Sequence, residues 1–142
     1  LWTRVEILLH NTYISTMKRK ENKMELSIHS AKTVRGEAFA AAVVATNNYI
    51  EHYLGGEDKY ACGFAWVTVQ PKHKGNTKLG RQEREILRNM GLEKDWTGKR
   101  FTWWNPSSSY FQNIDCKEEG ARAAAKVLQG YGLDAWASSR LD

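Results

Sequence analysis

The sequence predicts a single α+β domain, and three observations predict it. An Ala-rich stretch over 31–54 has helical spacing, the run "CGFAWVTV" reads as a buried strand, and helix-like and strand-like segments then alternate to the end of the chain. The 142 residues are enough to bury a core without disulfide or metal staples. A hydrophobic content of 42% and a charged content of 26% belong to an ordinary globular domain.

Residues 1–23 carry neither helical nor strand periodicity and hold a disproportionate share of the net charge of +5. "KRKENK", Lys18 to Lys23, is what purine-rich codons encode, and purine-rich sequence lies just upstream of bacterial start codons. Translation is therefore expected to begin at Met24, leaving 1–23 as an untranslated leader and 24–142 as the domain. The competing reading of 1–23 is a disordered basic arm.

Within the domain, Val34, Ala38, Ala41 or Ala42, Ala45, Tyr49 and Tyr53 recur at helical spacing, and Gly55-Gly56 stops the helix. Cys62 to Val69 is aromatic and β-branched and precedes Pro71, as a strand would. Thr77 to Met90 sets Leu79, Ile86, Leu87 and Met90 on one side and charges on the other, an amphipathic helix ended by Gly91. Arg100 to Trp104 and Tyr110 to Ile114 are expected to pair as a hairpin around "NPSSS". Asp115 and Glu118 mark a helix start, Ala121, Ala124, Ala125 and Leu128 its apolar stripe, and Gly130 or Gly132 its end. Leu133 to Ser138 alternates as the last strand.

From Cys62 onward this is strand, helix, strand, strand, helix, strand: a ferredoxin-like βαββαβ antiparallel sheet preceded by a long Ala-rich helix. Two helices on one face leave the other face open. Alternation turns Ala65, Val67 and Val69 toward the helices, and Phe64 and Trp66 toward the open face with Trp136 and either Trp103 or Trp104. The favoured expectation is that the Ala-rich helix lies across that face and buries the rings. The alternative is an exposed platform on which bases stack, as in RNA-recognition motifs. Gly63, Phe64, Ala65 and Val67 match their signature strand, whereas Cys62, Trp66 and Val69 depart from it.

"PKHKGNTKLGRQ" carries Gly75 and Gly80 at the spacing of a phosphate-binding loop, but Arg81 and Gln82 stand where that loop needs Lys and a hydroxyl, which argues against an NTPase. Nine basic residues face four acidic ones between Lys72 and Arg100. Lys72, Lys74, Lys78, Arg81, Arg84 and Arg88 are the candidate anion or nucleic-acid contacts, the alternative being a solvated surface. Cys62 and Cys116 lack any metal-ligand spacing, and the four histidines are scattered, so no metal, cofactor or catalytic set is expected. Unpaired cysteine usage suits a reducing, cytoplasmic setting. The apolar run Val5 to Leu9 is too short for a membrane span, so no membrane partner is expected.

The segments "ACGFAWVTV", "KLG", "WNPS", "QNIDCKEEGARA" and the terminal "GARAAAKVLQGYGLDAWASSRLD" resemble small proteins encoded by tailed bacteriophages and prophages, over roughly Glu57 to Asp142. The resemblance implies an accessory protein working in the cytoplasm of a bacterial host and brings no activity, cofactor or catalytic residue with it. The expected function is thus a small binding protein contacting nucleic acid or another phosphate-rich ligand. The alternatives are an inhibitor or sponge for a host protein or signalling nucleotide, and a small enzyme using Cys62, with His52 or His73 as base, or the Arg140/Asp142 terminus.

Overall fold

The computed structural model describes residues 26–142. The expected start at Met24 and the leader 1–23 lie outside the described residues. These comprise helix α1 (Ala31–Tyr53), strand β1 (Gly63–Gln70), helix α2 (Lys78–Asn89), strands β2 (Glu93–Lys94) and β3 (Phe101–Trp104), helix α3 (Ile114–Gly130) and strand β4 (Asp134–Leu141). The fold is α+β: a four-stranded sheet in the order β2-β3-β1-β4, with every neighbouring pair antiparallel and three helices beside it.

Strand alternation builds the core. Ala65, Val67 and Val69 of β1, Phe101 and Trp103 of β3 and Ala135 of β4 point to one face and are buried with Leu87 and Met90 of the α2 end and Ala121, Ala124, Ala125 and Leu128 of α3. Helix α1 adds Ala31, Val34, Ala38 and Ala42 to the same cluster. All three helices therefore lie on one side of the sheet. The expectation that α1 covers the opposite side is corrected.

The reason lies in side-chain size. The buried stripe of α1 is small, and it lies along an equally small stripe of α3, so the two backbones approach closely. A Cβ at Gly120 would sit 2.3 Å from Thr46 Oγ1 and 3.3 Å from the carbonyl oxygen of Ala42. The Thr46 hydroxyl donates to the Cys116 carbonyl (3.0 Å), which satisfies a polar group inside that contact. A flat alanine stripe finds such a groove, whereas a sheet face of standing tryptophans offers it none. Arg35 fixes the near end of α1, its guanidinium 4.5 Å from the centre of the Trp103 ring and donating to the Met90 carbonyl at the end of α2.

The expected hairpin is also corrected. Strand β3 pairs with β2, not with Tyr110 to Ile114, and the latter segment makes only an isolated bridge between Asn113 and Cys62. Asp58 accepts from the backbone N–H groups of Gln112 (2.8 Å) and Asn113 (3.0 Å), and Asn113, fully buried, caps α3 by accepting from Cys116 N–H (2.8 Å) while donating to the Lys59 carbonyl (2.8 Å). These side-chain bonds take up the backbone groups that a strand ladder would have used. Leu79, expected on the apolar side of α2, is exposed.

Candidate functional site

The face of the sheet away from the helices is uncovered among the described residues. On the central strands Trp66 and Trp104 are direct cross-strand partners, and their rings stack with centroids 4.5 Å apart. Phe64 meets Trp104 edge-on at 6.3 Å. Trp136 on β4 stands opposite Thr68. Phe64 and Trp104 are 37% and 50% exposed, and Trp66 and Trp136 are half-buried. Trp103, expected on this face, is a correction. As the odd neighbour of Trp104 it points into the core beneath Arg35 and is 5% exposed.

Cations frame the rings. The Arg140 guanidinium lies 5.4 Å and the Lys117 ammonium 5.7 Å from the Phe64 ring centre, and the Arg100 guanidinium lies 5.5 Å from that of Trp136. A cleft of about 490 Å³ opens between Trp66, Trp104, Trp136 and Trp96 of the β2–β3 hairpin, with Thr68, Thr102 and Ser138 between the rings. Asp95 and Glu93 stand at its edge; the Thr97 hydroxyl hydrogen-bonded to Asp95 holds that carboxyl below its ordinary value, so it stays an anion.

A second, larger groove of about 930 Å³ lies where the β1–α2 loop meets the same hairpin. It gathers Lys72, Lys74, Arg81, Arg84 and Arg88, together with Lys94 and Lys99 from the hairpin, against a single lining carboxylate, Glu85. Lys78 does not line it. Among the described residues none of these cations is ion-paired, the ion pairs being Lys59 with Glu57 and Arg122 with Glu118 and Glu119. Groove and cleft share Lys94, and Arg100 of the cleft donates to the Gln70 side chain of the groove (3.0 Å). The aromatic and basic surfaces are thus contiguous.

The loop that carries the basic residues is built, not loose. Glu83 accepts from the backbone N–H groups of Lys72 (3.0 Å) and His73 (3.1 Å), and Arg84 donates to the carbonyls of His73 and Gly80 (2.9 Å each). Thr77 caps α2 by accepting from Gly80 N–H (3.0 Å). Gly80 is demanded by packing: a Cβ there would lie 1.8 Å from the Lys74 carbonyl oxygen. The Gly75–Gly80 spacing therefore reflects a tight loop-to-helix approach, and Thr77 occupies an amide that a phosphate would otherwise use.

The side chains of the enzymatic alternative make no hydrogen bond or ion pair with one another among the described residues. Cys62 is exposed, its thiol directed at the Tyr60 carbonyl (3.9 Å), and neither His52 nor His73 bonds to it. Cys116 is buried, and that burial pushes its thiol up to about 11, which keeps it protonated and inert. Arg140 and Asp142 form no ion pair; Asp142 donates its N–H to the Cys62 carbonyl (3.1 Å). No group of His, Cys, Asp and Glu among the described residues could hold a metal ion, and no described helix is long and apolar enough to cross a membrane. Compared with protein-family models, with curated proteins and with solved structures, the chain matches none of them.

Sequence reasoning reaches Phe64, Trp66, Trp136 and most of the loop cations but misses Trp96, Lys94 and Lys99. Only the hairpin brings those three to the site, and two-residue β2 has no apolar pattern to reveal it.

Proposed function

We propose that this protein is a small nucleic-acid-binding module of ferredoxin-like architecture, serving as an accessory protein of a tailed phage or prophage. The element order βαββαβ, with β1 and β3 in the centre of the antiparallel sheet, supports that architecture. The observation that carries the binding reading is the uncovered Trp66–Trp104 stack on those two central strands, flanked by Phe64 and Trp136 and framed by arginines. Aromatic rings that keep part of their surface in water on a rigid sheet, as Phe64 and Trp104 do, are what base stacking requires, at about 1–3 kcal/mol per base. The adjoining groove supplies what the rings lack, a row of cations without ion-pair partners for the phosphates.

The test is fluorescence anisotropy of a labelled single-stranded oligonucleotide against the protein from about 50 to 200 mM salt. Binding should be clear at low salt, weaken steadily as salt rises, and quench tryptophan fluorescence. An oligonucleotide that stays free at low salt would dismiss this function and return preference to a protein or small-nucleotide partner.

A further inference from the structure

Trp96 is 96% exposed, the most exposed of the large apolar side chains among the described residues. Its turn is nevertheless fixed. Asp95 Oδ1 accepts from the Thr97 N–H (3.1 Å) and the Thr97 hydroxyl (2.6 Å), the Thr97 hydroxyl accepts from Lys99 N–H (3.2 Å), and Asp95 N–H donates to the Arg100 carbonyl (2.9 Å). Hydrogen bonds thus hold an indole out in water, where a fully exposed ring gains nothing from burial. Four of the six tryptophans of the chain, Trp66, Trp96, Trp104 and Trp136, line the one cleft on the open face.

The space between those rings is polar. Thr68 and Thr102 are direct cross-strand partners on the cleft floor, and Ser138 lies beside them. The Thr102 hydroxyl donates to the Glu93 carbonyl (3.4 Å), an aliphatic ligand would leave the Thr68 and Ser138 hydroxyls unused, and an intact double helix has no unpaired ring free to enter. A planar heterocycle with hydrogen-bonding edges satisfies walls and floor together, and Lys94 and Arg100 stand where its phosphate would leave the cleft for the basic groove.

We propose that this cleft takes one unpaired base of a single-stranded nucleic acid and that Trp96, which lines the same cleft as the Trp66–Trp104 stack, supplies a further ring for that base to stack on. The inference rests on the nucleic-acid reading above and narrows it to unpaired strands, because a duplex must first unstack and unpair a base to fill the cleft, at a cost of a few kcal/mol.

The experiment uses the full chain and two probes, a labelled single strand and the same strand annealed to its complement, with the Trp96→Ala and Trp96→Phe variants. The parent should prefer the single strand. Trp96→Ala should weaken single-strand binding by about five- to 150-fold, the range expected for removal of one stacked base. It should melt with the parent, since the side chain is almost wholly exposed among the described residues, and Trp96→Phe should recover most of the affinity. Equal binding of single strand and duplex by the parent, or undiminished single-strand binding by Trp96→Ala, would overturn the slot while leaving the nucleic-acid reading in place. Failure of the parent to bind either probe would overturn both.

Discussion

Trp103 and Trp104 are adjacent in the chain and face opposite sides of β3, one under Arg35 in the core and the other against Trp66 in the open cleft. Trp103→Ala should cost about 3–5 kcal/mol of stability, as large-to-small changes in a packed core do, and Trp104→Ala considerably less. Urea unfolding of the two variants checks this, and equal losses would contradict the assigned faces. The cysteines divide in the same way. Cys62 should be alkylated in the native protein and Cys116 only on unfolding, a difference read by mass spectrometry of pulse-labelled protein. The fold favours the protonated Cys116 thiol, whose value rises to about 11. Its contribution to stability is therefore intact below the ordinary thiol value of about 8.5 and is lost as pH climbs through the folded one. The period-two alternation of "GFAWVTVQ" makes the faces of β1 readable from sequence, but the choice between Trp103 and Trp104 depends on the exact register of a four-residue strand, which composition does not set.

Among the elements, the packing of α1 on α3 decides which face of the sheet the described residues leave open. Both helices are legible from alanine periodicity and flanking glycines. The place where α1 docks is not, because an alanine stripe is apolar toward any surface and only the matching depth at Gly120 selects α3. Gly120→Val should therefore drive its side chain into Thr46 and Ala42 and lower the melting temperature by several degrees, equivalent to roughly 1–3 kcal/mol. A calorimetric scan matching the parent would show that the helices do not approach so closely. The β2–β3 hairpin escapes sequence reasoning for the opposite reason. "EK" has no strand signature, while "YFQNI" has one that Asp58 and Asn113 override with side-chain hydrogen bonds.

At the scale of the whole molecule, the long charge run between Lys72 and Arg100 folds back on itself, so that cations some twenty residues apart in sequence line one groove beside an aromatic sheet. The run is legible as charge; its partition is not, since Lys78 leaves the groove while Lys94 and Lys99 enter it. Replacing Lys74, Lys94 and Lys99 by Gln should lower the magnitude of the log-log salt slope of oligonucleotide binding by about 0.7–0.9 for each phosphate no longer neutralised. The fold should be unaffected, because exposed substitutions usually shift stability by less than about 0.5 kcal/mol. Equal slopes for parent and triple variant would reduce the groove to a solvated surface.

The claim that the open sheet face stacks bases is tested most directly at Trp66, by measuring single-strand affinity and unfolding free energy on the same Trp66→Ala preparation. The account predicts a cooperatively folded variant that binds about five- to 150-fold more weakly than the parent. A variant that binds like the parent, or one that loses the several kcal/mol expected of a covered core residue, would contradict it.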